Sequence, residues 1–319
     1  MPSELISAEV PEEIKPWSDQ DRNLILAWDS VNSTTLMTCP WKFKLQIIEG
    51  WVPKKMAPPL KFGILFHSAV EFYERRRAEG LSFQDSLHEA VKSTLKASRD
   101  FLGDSDGKAI RTRFTLVRAL IWYADKYKDD VYRTMILADG RPAVELSFRI
   151  ALPLISPDGT PYIFCGHIDR VSRAPESEVL INDYKTSGTT LTPHFFKKFD
   201  SSWQMSGYTF AGMTLLPEAP AGVMIEGIQL AVGFTRSARG FTFRNEAQIE
   251  EWLEDFLYWI KLAEKFAQDN YWPMNRQSCD LYGGCQFKNV CDRSPNVRKE
   301  WLQADFKQDP WNPLINRGE

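Results

Sequence analysis

The stretch GHIDRVSRAPESEVLINDYKTSG (residues 166–188) decides the fold. Runs rich in aromatic and β-branched residues, 162–173 and 178–187, predict two strands that pair as a hairpin. The first strand carries Asp169, and the second carries Asp183 and Lys185. Residues two apart on a strand share a face, so Asp183 and Lys185 project together, with Tyr184 on the opposite side. Two carboxylates and one ammonium are therefore expected to converge.

This combination favours a site for a hard metal ion with a cation beside it. Mg²⁺ prefers oxygen ligands, polarises phosphodiesters and lowers the pKa of a bound water. A lysine can orient that water or neutralise charge that builds up on the phosphate. The pattern thus predicts metal-assisted phosphodiester hydrolysis. The alternative is a solvent-facing charge pair, which is common on strands.

The surrounding sequence alternates between helical and strand-like patterns. Ser33 is a candidate N-cap of a helix that carries Cys39, and Pro40 stands near a helix start or kink. The order predicts a mixed α/β fold with a helical N-terminal elaboration. Further helices are predicted at 63–79, 83–99, 110–133, 203–216 and 249–267, and further strands at 143–152, 223–234 and 240–243.

Two helices add candidate site residues. His67 has Gly63 four residues before it and Glu71 four after, so the three share a helix face. Imidazole suits Mn²⁺ more than Mg²⁺, and Gly63 would allow a close approach to the sheet. The alternative for His67 is a buried structural group. Gln204 and Tyr208, also four apart, could face a bound nucleotide or simply pack.

The composition excludes a basic DNA-coating protein, because the net charge is −3 with a pI near 5.9. Local basic groups could still steer nucleic acid into one groove. They are Lys42 with Lys44, Lys54 with Lys55, Arg75–Arg77, and Lys197 with Lys198. The sequence contains no run of eighteen apolar residues, so it predicts no membrane-spanning helix, and the polar, acidic start is unlike a signal peptide. We therefore expect a cytoplasmic protein in which cysteines serve metals or catalysis rather than disulfides.

Three of the five cysteines, Cys279, Cys285 and Cys291, stand six residues apart in a glycine-containing segment. Four thiolates satisfy either a [4Fe–4S] cluster or a tetrahedral Zn²⁺, so a fourth sulfur is needed. Free, buried thiols are the remaining alternative. Cys165, inside a predicted strand, is expected in the core.

The ordered motifs Gly63-x-x-x-His67, Gly166-x-x-Asp169, Asp183-Tyr184-Lys185-Thr186 and Gln204-x-x-x-Tyr208 resemble the PD-(D/E)xK nuclease superfamily in its RecB-like branch. The resemblance covers residues 28–292 and implies a restriction-endonuclease-like core. It implies that His67, Asp169, Asp183 and the Tyr184 carbonyl bind Mg²⁺ or Mn²⁺. Lys185 matches the catalytic lysine, and Gln204 and Tyr208 match a motif that holds the substrate strand. Many relatives carry Glu where this chain has Asp183.

The positions of the cysteines also resemble those in the iron–sulfur nucleases of this branch. They carry one Cys-Pro near the N-terminus, here Cys39-Pro40, and three cysteines after the core. The resemblance implies that Cys39, Cys279, Cys285 and Cys291 hold a [4Fe–4S] cluster, with structural Zn²⁺ as the alternative. A spacing of two residues between the first two clustered cysteines is frequent in the family, whereas five separate Cys279 from Cys285 here.

The expected function is a metal-dependent DNA exonuclease that acts on single-stranded DNA or DNA ends in recombination, repair or phage DNA processing. The alternatives are a DNA-binding adaptor of recombination or CRISPR adaptation with little cutting, and a zinc-stapled protein of unrelated activity. No P-loop is present, so unwinding would need a helicase or recombination partner. We expect an arm at 1–20, one nuclease domain at 21–292 closed by the cysteines, and a tail at 293–319.

Overall fold

A computed structural model describes residues 15–21, 23–101, 103 and 110–314, with Tyr282 described by its backbone only. Most of the predicted arm, residues 1–14, lies outside these residues, and within its remainder Trp17 bridges Ile25. The helices are α1 Ser30–Thr38, α2 Pro40–Phe43, α3 Pro58–Ala78, α4 Phe83–Ala97, α5 Arg113–Lys126, α6 Pro193–Lys197, α7 Trp203–Leu215, α8 Glu246–Gln268, α9 Lys288–Cys291 and α10 Arg298–Asp305. The strands are β1 Ala27–Trp28, β2 Trp51–Pro53, β3 Arg133–Thr134, β4 Val144–Ile155, β5 Pro161–Arg173, β6 Val179–Ser187, β7 Gly222–Leu230, β8 Thr235–Thr242 and β9 Phe306–Gln308.

The chain divides into two compact units, and β4 and β5 contribute residues to both. Within the described residues, unit 1 holds 15–55, 148–166 and 246–314, and unit 2 holds 56–147 and 167–245. The predicted mixed α/β class is confirmed. Among the residues that the structure describes, no helix is long and apolar enough to cross a membrane.

Unit 2 contains a mixed sheet with helices on both faces. Its strands lie in the order β3, β5, β6, β7, β8; the β6–β7 pair is parallel and the other pairs are antiparallel. On one face, Tyr184, Ile228 and Leu230 pack with buried residues of α3, α4 and α5. On the other face, α7 is so close that a Cβ on Gly212 would lie 2.8 Å from Ile181. Strand alternation therefore assigns Tyr184 to the α3–α5 side and Asp183 to the α7 side.

Unit 1 is built around aromatic side chains. Trp28 stacks on Phe43 with ring centroids 5.7 Å apart, and Phe43 stacks on Trp272 at 5.4 Å. Phe256 of α8 meets Trp28 edge-on at 6.2 Å. The C-terminal strand β9 pairs with β2 in a separate two-stranded sheet, so residues 306–308 of the predicted tail are ordered structure.

The prediction for the first helix was wrong at both ends. Asp29, and not Ser33, is the N-cap: its Oδ1 accepts hydrogen bonds from the backbone N–H groups of Val31 and Asn32 at 2.8 and 2.7 Å. Ser33 lies inside the helix and donates to the Asp29 carbonyl at 2.6 Å. Cys39 follows α1 in extended conformation and precedes Pro40 at the start of α2. Asp29 directly follows the two-residue strand β1, and its capping role depends on the N–H groups of α1 rather than on the hydrophobic pattern.

Candidate active site

The β5–β6 hairpin brings the two predicted carboxylates together. Arg170 pairs with Asn182, so the next step of the same antiparallel register places Asp169 opposite Asp183. The backbone N–H of Tyr184 donates to Asp169 Oδ2 at 2.9 Å. The Asp183 side chain is 1% exposed and that of Asp169 is 12% exposed. Both carboxylates are therefore held in a site largely shielded from water.

His67 reaches this pair from α3. Its Nδ1 lies 3.3 Å from Asp169 Oδ2, and its side chain is 33% exposed. Glu71, on the same helix face as His67, accepts a hydrogen bond from Arg75 at 3.0 Å. A Cβ on Gly63 would meet Thr186 Oγ1 at 3.9 Å, an ordinary contact, so the helix position does not require glycine there.

Lys185 links the carboxylates to α7. Its ammonium donates to Asp183 Oδ1 at 2.7 Å and to Gln204 Oε1 at 3.0 Å. The other end of the Gln204 amide donates to the Tyr208 hydroxyl at 3.0 Å. The spacing of four residues on α7 thus serves a hydrogen-bond chain that ends on the lysine. Tyr208 is buried, so its hydroxyl rather than its ring is the part directed at the site.

The charges of the cluster are strongly coupled. Burial lowers the pKa of His67, but the adjacent Asp169 carboxylate outweighs burial and the pKa is raised. Burial raises the pKa of Asp169, yet His67, Lys185 and the Tyr184 N–H bring the pKa below its usual value. For Asp183, burial dominates and raises the pKa despite Lys185. The site therefore pushes the pKa values of two neighbouring carboxyls apart.

The donors fit a hard divalent cation. Asp183 Oδ2 is buried and finds no hydrogen-bond partner within the described part of the chain. A buried carboxylate oxygen without a partner is costly, and a bound cation would satisfy it. As the side chains stand, no group of three or more His, Cys, Asp or Glu in the described ranges could hold a metal ion. Lys185 and His67 instead occupy Asp183 Oδ1 and Asp169 Oδ2.

Sequence reasoning missed a buried charge network on the reverse face of the hairpin. Arg170, 2% exposed, has its Nη1 3.5 Å from Glu74 Oε1 and 3.5 Å from Glu226 Oε1. Asn182 donates to Glu226 at 3.0 Å, and Arg239 donates to the same carboxylate at 3.0 Å. The signal was available: Glu226 is the single charge in the apolar run VMIEGIQL, where an acid needs a buried partner.

This network supports the catalytic strands from behind. Arg170 follows Asp169 and Asn182 precedes Asp183, so the alternating strand positions anchor the backbone that carries each carboxylate. Burial lowers the pKa of Arg170, but Glu74 and the other acidic groups raise the pKa well above its usual value, so the arginine stays charged. Breaking such a buried set by removing one partner typically costs about 3–5 kcal/mol.

Most of the local basic groups are used within the fold. Arg75 pairs with Glu71 and Arg76 with Glu79, at 3.0 and 2.7 Å. Lys198 differs: its ammonium lies 3.9 Å from the centre of the Phe195 ring. Burial and then the charge of Lys185 lower the pKa of Lys198.

The four predicted cluster cysteines gather in unit 1, and all are free of disulfides. Burial and then Cys285 raise the pKa of Cys291 to about 11, with smaller effects from Cys279 and Cys39. The backbone N–H of Cys285 donates to the Cys279 carbonyl at 2.7 Å, and that of Asn275 donates to Cys39 Sγ at 3.4 Å. As the side chains stand, the described residues include no group of three or more of these thiols that could hold a metal ion. Cys165 is buried in the core of unit 1, as predicted.

Comparison with known proteins defines the class. The family model of the PD-(D/E)XK nuclease superfamily matches residues 32–292, so the chain belongs to this superfamily of nucleases. Members generally use Mg²⁺ or Mn²⁺, in keeping with the oxygen donors described above. A search of curated proteins finds no match.

Two solved structures show low similarity. One is named "Putative exonuclease" and comes from Eubacterium rectale; it has 10% identity and a TM-score of 0.49, covering 92% of this chain and 98% of that chain. The other is named SSO0001, with 14% identity and a TM-score of 0.26, covering 60% of this chain and 74% of that one. Both TM-scores are below 0.5, so the family assignment rests on the family model.

Proposed function

We propose that this nuclease is a metal-dependent DNA exonuclease that hydrolyses phosphodiester bonds on single-stranded DNA or DNA ends. The observation that carries the proposal is the convergence of Asp169, Asp183 and Lys185, with the buried Asp183 Oδ2 unpartnered in the described chain. We place the activity in recombination, repair or phage DNA processing, with a helicase or recombination protein as the partner for duplex substrates.

The ligands of the proposed cation are Asp169, Asp183, His67 and the Tyr184 carbonyl. When bound, Mg²⁺ or Mn²⁺ polarises the scissile phosphate and lowers the pKa of the attacking water. The backbone N–H of Tyr184 fixes Asp169 from one side, which leaves its other carboxylate oxygen for the cation. Asp183 contributes its Oδ2 in the same way, because its Oδ1 accepts from Lys185.

Lys185 is the proposed catalytic lysine. An ammonium has three N–H donors, and Asp183 and Gln204 take two. The third can donate to the attacking water or to a phosphate oxygen, where the positive charge stabilises the developing negative charge. Gln204 and Tyr208 hold the ammonium in place, and we propose that their remaining hydrogen-bonding capacity contacts the substrate strand.

In unit 1, we propose that Cys39, Cys279, Cys285 and Cys291 hold a [4Fe–4S] cluster, with Zn²⁺ as the alternative. Four thiols free of disulfides, with an N–H donor to Cys39 Sγ, are the soft donors that either group requires. Such a group would close the single nuclease domain proposed for residues 21–292, by joining positions more than two hundred residues apart.

The test is cleavage of 5′- and 3′-labelled single-stranded, double-stranded and circular DNA with Mg²⁺ or Mn²⁺, using protein purified without oxygen. We expect stepwise nucleotide release from linear DNA, which chelator and Asp183→Ala both abolish, while circular DNA stays intact. Cutting of circular DNA would overturn the exonuclease assignment. A folded protein that binds DNA but cuts none of the substrates with either metal would favour a DNA-binding adaptor instead.

A further inference from the structure

Unit 2 has an exposed aromatic face on α5 that the catalytic cluster does not use. Phe114 is 73% exposed and Trp122 is 44% exposed. They stand four residues before and after Arg118, so the three side chains share one helix face over about 12 Å. The Arg118 guanidinium carbon lies 5.8 Å from the centre of each ring. The face is an alternating ladder of ring, guanidinium and ring, here called the α5 ladder.

Arg118, the charged residue of the ladder, is held by uncharged hydrogen-bond acceptors. Arg118 donates to the carbonyls of Val232 and Phe234 at 2.7 and 3.1 Å, in the turn between β7 and β8. It also donates to the Ala231 carbonyl and, at 3.3 Å, to Thr235 Oγ1. Because these acceptors carry no formal charge, they orient the guanidinium without neutralising it.

Further positive charge flanks the ladder. Lys126 donates to the Ser237 carbonyl, again a neutral acceptor. Arg236 lies with its guanidinium carbon 4.6 Å from the centre of the Phe234 ring. The acid of this helix surface, Asp125, pairs with Lys128 at 3.2 Å. The surface around the exposed rings is therefore cationic, which distinguishes it from an ordinary apolar protein contact.

The α5 ladder lies near the C-terminal end of β6, the strand that carries Asp183 and Lys185. In the parallel β6–β7 pair, Lys185 lies opposite Gly227 and Ser187 lies opposite Gln229. The turn that binds Arg118 begins directly after Leu230, the last residue of β7. A Cβ on Gly188 would lie 3.5 Å from Arg111 Nη2, just ahead of α5. Gly188 is three residues beyond Lys185, a span of about 10 Å along a strand.

We infer that the α5 ladder binds single-stranded DNA, stacking bases on Phe114 and Trp122 while Arg118, Lys126 and Arg236 contact its phosphates. The inference rests on the proposed nuclease function and names the path of the strand beyond the scissile bond. Rings and cations interleaved on an exposed surface are the means by which proteins bind single strands without sequence preference. A neutral protein partner would leave the three cations without counter-charges.

The test is fluorescence anisotropy with labelled dT20 and with a 20-nucleotide abasic strand, in chelator so that nothing is cut. The variant is Phe114→Ala with Trp122→Ala, and the matched control is Tyr258→Ala, an equally exposed aromatic residue on α8. We expect the double variant to lose about tenfold or more in dT20 affinity and to bind the abasic strand as the wild type does. The control should match the wild type on both strands.

A double variant that binds dT20 as tightly as wild type would overturn the ladder, as would an equal loss on both strands. Arg236→Gln adds a charge measurement: the dependence of log affinity on log salt should fall by about 0.7 if it contacts one phosphate. An unchanged salt slope contradicts that contact. These binding results do not depend on cutting, so a failed ladder test leaves the nuclease proposal standing, and a wild type that cuts nothing still permits the ladder test.

Discussion

The catalytic cluster of unit 2 and the cysteine cluster of unit 1 are held in place by different means. In unit 2, Asp169, Asp183 and Lys185 lie on adjacent strands and are tied to each other, to α3 and to α7 by side-chain hydrogen bonds. In unit 1, Cys39 precedes α2, Cys279 lies in the 3-10 helix 276–283, Cys285 follows that helix and Cys291 ends α9; backbone N–H groups donate to Cys39 Sγ and to the Cys279 carbonyl.

The difference concerns preorganisation. In unit 2, side chains on regular strands and helices bond one another directly, and Arg170 lies 3.5 Å from Glu226 on the reverse face of the hairpin. Within the described part of the chain, no side chain donates a hydrogen bond to the four thiols, so a metal group would itself supply the cross-links. Loss of a catalytic residue should therefore reduce chemistry with little unfolding, whereas loss of a cysteine should reduce stability.

The largest expected effect is on activity in unit 2. Lys185→Ala should reduce the rate of nucleotide release about a thousandfold, since it removes a charge positioned at the reacting phosphate. The melting temperature should change little. The matched control is Lys197→Ala, an exposed lysine of α6, which should keep most of the activity. Comparable losses in both variants would show that the lysine acts only through general charge.

Cys285→Ser is the matching test in unit 1. If a [4Fe–4S] cluster is present, the wild type should be brown with about four irons per chain, and the variant should lose colour, iron and thermal stability. Iron and zinc analysis with a melting curve measures all three. Cys165→Ala serves as the control and should keep its iron. One zinc per chain would select the alternative metal, and a metal-free stable wild type would leave the cysteines as buried thiols.

A smaller effect on the cleavage rate is expected from Gln204, which accepts a hydrogen bond from Lys185. Gln204→Ala should lower kcat about tenfold, because the ammonium loses one of its two acceptors. Gln204→Glu keeps an acceptor oxygen and should recover part of the rate. Steady-state kinetics separates this from substrate binding: a change confined to KM would mean that Gln204 contacts DNA and does not position Lys185.

The smallest effect belongs to the turn between β4 and β5 in unit 1. Burial raises the pKa of Asp158, but hydrogen bonds from Ser156, Ser18 and Thr160 lower it to about 2. A carboxyl with a depressed pKa stabilises the folded state at pH values above its unfolded-state pKa, near 3.9. This stability is lost as the pH falls through the folded-state pKa. Asp158→Asn should cost about 1 kcal/mol in free energy of unfolding at pH 7 and clearly less near pH 2. Chemical unfolding at both pH values checks this; equal costs would contradict it.

Short-range pattern was sufficient for most of the longer helices and strands, but not for the first helix or the short elements, and it was sufficient for part of the geometry of the site. Alternation along a strand put Asp183 and Lys185 on one face with Tyr184 behind, and the structure has this arrangement. The helix spacing of Gln204 and Tyr208 likewise placed both on one side of α7. These relations involve residues two to four apart, where backbone geometry leaves little choice.

Relations between distant segments were not accessible in this way. The hydrogen bond between Lys185 of β6 and Gln204 of α7 was not predicted. The pairing of Arg170 with Glu74 and Glu226 depends on how α3 and β7 pack against β5. Side-chain periodicity states which face a residue occupies, but the identity of its neighbour follows from packing, because desolvated charges bond to whatever the assembled fold brings within reach.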